Sequence, residues 1–212
     1  MKRWKKTVLA ALALVFCAAA LGASAQAGRT IAPVAQHIDV ARLPDGVYRV
    51  SFDRDDVRSE DGGVTLNGVR VYTRDRYDAA EVDALRVGDG IVVEGEAVEV
   101  LTLARDAYGV TVNEGQDARA FYLVRPEAGD GYIVRGMNDL GTYTEQGVAA
   151  LRLAEGATFT DGWDIGAGPV TVDYDGIAQA IADAENDVFI PDNTALRVEN
   201  GAVTEIVREY MP

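Results

Sequence analysis

The feature that most restricts the fold is a series of short segments in which apolar and polar residues alternate, separated by Gly, Asp and Asn. Tyr48, Val50 and Phe52 alternate with polar residues, which is the period of a half-buried β-strand. Segment 64–71, which contains Asn67-Gly68, is either a tight hairpin or one strand with a glycine bulge. Further strand candidates are 91–94, 97–103, 110–113, 120–124, 132–135, 149–153, 170–173, 196–199 and 203–207, the last two joined by Asn200-Gly201.

Helical spacing of apolar residues occurs at two places. Residues 78–85 allow a short helix, and residues 175–187 carry Ile177 and Ile181 at the spacing of one helix face. Asp173 or Asp175 is expected to cap the first turn of the second helix by accepting a backbone N–H. About a dozen short strands with one amphipathic helix near 175–187 predict a mainly β fold, either a barrel or a sandwich.

The N-terminus has the three parts of a cleavable signal peptide, which we assign to residues 1–25. Four basic residues precede an apolar run over 7–21, and small residues ending in Ala23-Ser24-Ala25 follow. A permanent membrane anchor is the alternative, but the run is shorter than the roughly 20 residues that span a bilayer. Lipidation of Cys17 is disfavoured because the bulky Phe16 precedes it. We therefore expect an exported protein, periplasmic or extracellular, with no membrane span after cleavage.

The remaining chain divides into an N-terminal segment over 26–43, expected to be flexible, and a mainly β domain over 44–212. Pro33 interrupts the first of these, and Leu43-Pro44-Asp45-Gly46 gives a turn signal at the start of the second. The stretch 126–131 is rich in Gly, Pro and acids. It is either a boundary between two lobes or a long turn.

The charge excludes several classes of partner. The whole chain has a net charge of −14, and removal of the signal peptide with its four basic residues makes it more negative. Such a surface repels phosphate backbones and anionic headgroups, so we expect no nucleic acid and no membrane surface as partner.

The residue types needed for common catalytic mechanisms are missing from the mature chain. It has no cysteine and no lysine, and its one histidine, His37, lies in the N-terminal segment. A Ser-His-Asp triad or a Cys-His pair therefore lacks the histidine base that activates its nucleophile. The chain also has no phosphate-binding glycine loop and no cofactor motif. The sequence favours a non-catalytic protein without a cofactor.

One acidic stretch is a candidate calcium site. Asp53, Asp55, Asp56 and Asp61 offer the carboxylate oxygens that Ca²⁺ prefers, close to glycines. The sixth position counted from Asp53 is Arg58, where a helix-loop-helix calcium loop needs glycine. A solvated connecting loop explains the same residues without a metal.

Two further stretches are candidate binding sites. Trp163 lies between Asp161 and Asp164 in a glycine-rich turn. An exposed indole at this position would stack on a sugar ring, and two suitably spaced carboxylates would allow glycoside hydrolysis. The alternative is a core tryptophan that closes one end of a barrel.

The second stretch is the one locally basic spot, Tyr72, Arg74, Arg76 and Tyr77. Tyrosine and arginine are enriched at protein-binding hot spots, which favours an interaction patch. The alternative is that these arginines neutralise neighbouring acids such as Asp75 and Asp78.

Two parts of the chain resemble a group of uncharacterised secreted bacterial β-proteins. The first runs from Arg76-Tyr77-Asp78 through Leu85-Arg86-Val87-Gly88-Asp89 to Ile91-Val92-Val93. The second runs from Val198-Glu199-Asn200-Gly201 to Tyr210-Met211-Pro212. The resemblance implies a β fold and export, and it carries no activity or site residues.

These observations favour a non-catalytic binding or interaction module of the cell envelope, with a protein or a glycan as partner. One alternative is a carboxylate-based hydrolase that acts on a glycan, using Asp161, Asp164 or the acidic loop. The other alternative is a structural envelope component with no small ligand.

Overall fold

A computed structural model describes residues 28–60, 63–116, 119–127, 129–136, 138–186 and 188–211. The predicted signal peptide and Asp61 lie outside the described residues. Within those ranges, no helix combines the length and apolar character that a membrane crossing requires.

The prediction of a mainly β protein is confirmed, with fifteen strands and two short α-helices in the described part of the chain. The strands are β1 (Thr30–Ile31), β2 (Gly46–Ser51), β3 (Val57–Glu60), β4 (Gly63–Arg74), β5 (Arg76–Tyr77), β6 (Gly90–Val93), β7 (Glu96–Glu99), β8 (Leu103–Arg105), β9 (Gly109–Val112), β10 (Phe121–Val124), β11 (Tyr132–Gly136), β12 (Tyr143–Gly162), β13 (Val170–Asp173), β14 (Thr194–Glu199) and β15 (Ala202–Glu209). The helices are α1 (Ala79–Asp83) and α2 (Ile177–Asp183). Single 3₁₀ turns cover Val40–Arg42, Arg54–Asp56 and Tyr174–Gly176.

The largest sheet has seven strands in the order β13-β12-β15-β14-β2-β4-β3, and β4 also pairs with β12. The five strands β4, β12, β15, β14 and β2 therefore form a closed cycle of hydrogen-bonded neighbours. The long strand β12 makes this closure: its first half pairs with β4 and its second half with β13 and β15. The β12–β15 pair is parallel, and the other pairs of this sheet are antiparallel.

A glycine bulge helps β4 to bend along this path. The register places Leu66 opposite Leu151 and Val69 opposite Ala149, so β4 has one residue more than β12 between these pairs. Gly68 has a φ of +80°, which glycine adopts without a steric penalty. Of the two predictions for segment 64–71, the single strand with a glycine bulge is confirmed. The predicted Asn200-Gly201 turn is confirmed as well, because it joins β14 to β15 with positive φ at both residues.

Helix α2 packs its apolar face onto this sheet. Ile177 and Ile181 are both 0% exposed and belong to a core that contains residues of β2, β4, β12, β14 and β15. The helix is shorter than the predicted 175–187, since residues 174–176 form a 3₁₀ turn and the chain is extended at Ala184. The predicted aspartate cap is wrong: Gly176 occupies the N-cap, and no side chain there accepts a hydrogen bond.

Two smaller sheets enclose a second core. One has the order β1-β6-β7 and the other β5-β11-β10-β9-β8. Their buried residues, among them Tyr77, Ile91, Phe121 and Val134, form a cluster separate from that of the large sheet. We call the seven-stranded sheet with α2 the first lobe and these two sheets the second lobe. Residues 126–131, where the sequence suggested a lobe boundary, join β10 to β11, which are neighbours in one sheet.

The chain passes between the lobes near Asp75 and Thr142, where the Asp75 N–H donates to the Thr142 carbonyl over 3.0 Å. The N-terminal segment crosses the same region. The Val34 N–H donates to the Arg76 carbonyl, and the Ile38 N–H donates to the Gln146 side chain.

Candidate binding sites

The alternation of a strand separates the residues of the Tyr72–Tyr77 stretch. Tyr72, Arg74 and Arg76 are partly exposed, whereas the intervening residues and Tyr77 are buried. Tyr77 is only 1% exposed, and its hydroxyl donates to the Val92 carbonyl over 2.7 Å. Tyr77 therefore packs in the core of the second lobe. The predicted binding patch required it on the surface beside the arginines, and the structure does not place it there.

The burial of Tyr77 also affects its ionisation. Removal of the phenol from water raises the pKa of Tyr77 well above its usual range, and the nearby charges of Asp75 and Glu94 act in the same direction. The side chain is a neutral hydrogen-bond donor that the second core holds in place.

Tyr72 lies on the outward side of the first lobe, with arginines at three neighbouring positions. Arg49 of β2 is directly opposite Tyr72, and Arg70 and Arg74 are its same-side neighbours along β4. Val50 and Val71, which alternate with these residues, are 0% exposed and point into the core. The Tyr72 hydroxyl is 3.1 Å from the Ser51 hydroxyl, which fixes the direction of its ring.

Tyr143 of β12 extends this group, because it lies opposite Arg74 in the β4–β12 register. The Arg74 guanidinium carbon is 5.8 Å from the centre of the Tyr143 ring, within the range of a cation–π contact. We call Arg49, Arg70, Tyr72, Arg74 and Tyr143 the arginine–tyrosine face. Arg49, Arg70 and Tyr143 come from sequence positions that the sequence analysis did not single out.

Two guanidinium nitrogens of this face are unsatisfied within the described residues. Arg49 Nη1 and Arg74 Nε are buried, and neither has a hydrogen-bond partner. Arg49 Nη1 is 3.5 Å from a Glu209 carboxylate oxygen, an ion pair between side chains that are 38% and 60% exposed. Exposed ion pairs contribute little stability, so this contact leaves Arg49 available to a stronger acceptor.

Asp192 lies at the border of the arginine–tyrosine face. It accepts a 2.7 Å hydrogen bond from the Gly141 N–H, and its charge acts on the Tyr143 hydroxyl. Burial raises the pKa of Tyr143, with a further contribution from the Asp192 charge, while Arg74 and Arg49 oppose the increase. Asp192 thus ties the face to the turn that precedes β12.

Arg76 is directed away from the arginine–tyrosine face toward the β10–β11 connection. A Cβ added at Gly129 would lie only 2.5 Å from Arg76 Nη1, so this guanidinium packs against that connection. The structure therefore separates Arg76 from Arg74 and Tyr72, although these lie only two and four positions before it in the sequence.

Trp163 forms part of a corner that is organised around a buried arginine. Arg208 is 1% exposed, and its guanidinium donates to both carboxylate oxygens of Asp161 over 2.9 and 2.5 Å. The guanidinium carbon is 5.4 Å from the Trp163 ring centre. Asp164 accepts hydrogen bonds from the N–H groups of Gly166 and Ala167 and so shapes the adjacent turn. Both aspartates of the predicted sugar site thus hold local structure.

The acidic loop also makes internal contacts. Asp53 and Asp56 form a reciprocal capping box around the 3₁₀ turn at residues 54–56, and the Asp53 N–H donates to Asp56 over 2.9 Å. Asp55 is exposed in that turn. No group of three His, Cys, Asp or Glu side chains in the described ranges is placed to hold a metal ion, and Asp61 lies outside those ranges.

A cavity of about 510 Å³ lies where the second lobe meets the turn before β12. Its described walls come from the β6–β7 hairpin, the start of β10, the end of β11 and the segment 138–142, with Asp192 contributed by the first lobe. Its polar lining consists of Glu94, Glu96, Arg119, Asn138, Thr142 and Asp192. The sequence analysis missed this interlobe cavity, because these residues come from separate stretches of the chain.

No model of a protein family, no curated protein and no solved structure matches the chain.

Proposed function

We propose that this protein is an exported, non-catalytic binding module of the cell envelope, and that its arginine–tyrosine face holds an acidic segment of a partner protein. The observation that carries the proposal is the arrangement around Tyr72. Arginines occupy three of the four positions next to this tyrosine, Arg49 on β2 and Arg70 and Arg74 on β4, and Glu145 of β12 occupies the fourth. The chain as a whole has a net charge of −14.

The chemistry of the face suits carboxylate side chains. A guanidinium donates two parallel hydrogen bonds to a carboxylate, and such charge-assisted bonds are stronger than neutral ones. The Arg49 and Arg74 side chains are partly exposed, so an incoming carboxylate that contacts them gains charge-assisted hydrogen bonds. The Tyr72 and Tyr143 rings add apolar contact area next to these charges.

The scaffold beneath the face supports the same proposal. We propose that the closed cycle of β2, β4, β12, β15 and β14 is a small barrel, with α2 packed against its core. Five-stranded barrels of the OB type bind ligands on the face of neighbouring strands. The arginine–tyrosine face occupies three neighbouring strands of this cycle, which hold its side chains on a rigid surface.

Asp161 and Asp164, which a glycan hydrolase would use, are both engaged in local structure. This supports the binding module over the hydrolase. Both oxygens of Asp161 accept hydrogen bonds from the buried Arg208, and Asp164 supports a turn through two backbone N–H groups. A general acid needs a carboxyl group that is free to hold and release a proton at the substrate. Neither aspartate is free in this sense.

The test is to capture envelope proteins with the mature chain, identify the partner, and titrate the purified pair by calorimetry. Arg74→Ala is expected to weaken binding about 30-fold, which corresponds to about 2 kcal/mol for a hot-spot arginine. The matched control is Arg197→Ala, which removes an exposed arginine of β14 that pairs with Glu205 at 3.0 Å. This control should leave the affinity within about twofold of the unmodified protein, since surface pairs contribute little.

Three results would contradict the proposal. The first is an equal loss of affinity in Arg74→Ala and Arg197→Ala, because the charge effect would then be general. The second is a loss of binding in Trp163→Ala alone, which would move the site to the Arg208 corner. The third is turnover of a chromogenic glycoside that disappears in Asp164→Asn, which would favour the hydrolase.

A further inference from the structure

We propose that the interlobe cavity is a second binding site, separate from the arginine–tyrosine face, and that it takes a small organic cation. Its volume of about 510 Å³ lies within the range of roughly 300 to 1,000 Å³ that small-molecule sites occupy. Three independent features of the cavity support this assignment: its walls, one unsatisfied hydroxyl, and its charge.

The walls combine a fixed apolar base with polar groups at the rim. Phe121 is 4% exposed and Val134 is 0% exposed, and both belong to the second core, so this side of the cavity is rigid. Val93 and Val98 add apolar surface from the β6–β7 hairpin. A ligand with a hydrocarbon portion gains free energy by covering these side chains.

Thr142, one of the residues that line the cavity, carries an unsatisfied hydroxyl. Thr142 is 5% exposed, and its Oγ1 has no hydrogen-bond partner among the described residues. The backbone carbonyl of the same residue accepts from Asp75, so this residue is fixed in place. Buried polar groups in native proteins are normally hydrogen-bonded. A polar ligand atom in the cavity would supply the missing partner.

The charge of the lining indicates the kind of ligand. Among the described lining residues, Glu94, Glu96 and Asp192 contribute three carboxylates, and Arg119 contributes one guanidinium. An ammonium group is attracted to this excess of negative charge and donates hydrogen bonds to carboxylate and hydroxyl oxygens. Anions are repelled by the same lining.

The backbone at Glu94 fixes one of these carboxylates at the cavity. Glu94 and Gly95 form the turn of the β6–β7 hairpin with φ of 52° and 80°, a conformation that favours Asn-Gly. Glutamate is less suited to this position than asparagine, which adopts the left-handed region more readily. Replacement of Glu94 by Asn therefore removes the carboxylate, and the asparagine fits the turn conformation better than glutamate does.

The experiment titrates the mature protein with putrescine, and in parallel with glucose and with citrate, by calorimetry and ligand-observed NMR. Putrescine is expected to bind, and glucose and citrate are not. Glu94→Asn/Glu96→Gln should weaken putrescine binding at least tenfold while the melting temperature stays the same or rises. Thr142→Val should weaken binding several-fold without loss of stability, because its hydroxyl has no partner to lose.

The control for net charge is Glu99→Gln/Glu114→Gln, which removes two carboxylates that do not line the cavity; Glu99 lies on the side of β7 opposite Glu96. This variant should therefore bind putrescine within about twofold of the unmodified protein. The proposal is overturned if Glu99→Gln/Glu114→Gln loses as much affinity as the cavity variants, since binding would then follow net charge alone. It is equally overturned if putrescine does not bind, or if glucose or citrate binds in its place. The two tests remain distinguishable because they use different ligands and different variants. Putrescine is tested against Glu94, Glu96 and Thr142, whereas the captured partner protein is tested against Arg74.

Discussion

Replacement of Asp161 by Asn should destabilise the protein because it leaves the Arg208 guanidinium without its counter-charge. The Arg208 side chain is 0% exposed, and the Asp161 side chain is 23% exposed. Arg208 also donates to the backbone carbonyls of Glu185 and Asn186, over 3.2 and 2.9 Å, but these carbonyls carry no net charge. An asparagine preserves the shape of the side chain and offers only one acceptor atom to the guanidinium.

The magnitude follows from the burial of the pair. Breaking a fully buried ion pair by removing one partner costs about 3 to 5 kcal/mol. Because Asp161 is partly hydrated, we take the lower end and expect a loss of about 3 kcal/mol. For a protein of this size, 1 kcal/mol corresponds to roughly 2 to 4 °C, so the melting temperature should fall by about 6 to 12 °C.

The assay is thermal and urea unfolding, followed by circular dichroism. Asp164→Asn is the matched control: it changes the same residue type three positions further on, in the turn after β12, where Asp164 accepts hydrogen bonds from backbone N–H groups. It should cost about 1 kcal/mol or less. The double variant Asp161→Asn/Arg208→Met should recover part of the loss, because it removes the unpaired buried charge. An Asp161→Asn variant with the same melting temperature as the unmodified protein would refute the structural role of Asp161.

Three further predictions concern other parts of the molecule. Ile181→Asp should lower the free energy of unfolding by several kcal/mol in a urea titration, because the side chain is 0% exposed; Ala182→Asp, on the exposed side of the same helix, should have little effect. Tyr77 has a raised pKa in the folded state, so its stabilisation is complete below pH about 10 and is lost as the pH rises further. Tyr77→Phe should therefore lose about 1 kcal/mol at pH 7 and show a shallower alkaline decline in stability. Intact-mass measurement of exported protein should show cleavage after Ala25; a species that retains residues 1–25 would contradict the signal peptide.

Much of the secondary structure was predictable because many strands carry a local signal, although β1 and β3 were not predicted and only residues 149–153 of the long β12 were. Val170–Asp173 is a strand with the predicted bounds, and the alternation around Val50 gives the buried side of β2 directly. The bounds of α2 were less predictable. The spacing of Ile177 and Ile181 is also met by a helix of only seven residues, with the 3₁₀ turn at Tyr174–Gly176 in front of it. Periodicity identifies the face of a helix better than it identifies its ends.

The candidate sites were less predictable, because they depend on which strands pair. Tyr72 and Tyr77 are close in sequence, yet Tyr72 lies on the surface and Tyr77 lies in the second core. Two features separate them: they are an odd number of positions apart, and β4 ends between them. Strand alternation alone predicts opposite sides for two residues an odd number of positions apart. The prediction of one binding patch with both tyrosines rested on residue types alone and did not take this alternation into account.

Asp192 shows why such sites need the three-dimensional arrangement. Its side chain accepts from Gly141, which is 51 positions away, and it lines the interlobe cavity beside the arginine–tyrosine face. Nothing local distinguishes it from Asp164, which also follows a secondary-structure element and lies in a turn. The difference arises because the pairing of β4 with β12 brings the turn before Tyr143 to the place where the chain enters β14. Long-range contacts select, from many similar acidic turns, the one whose carboxylate borders both the interlobe cavity and the arginine–tyrosine face.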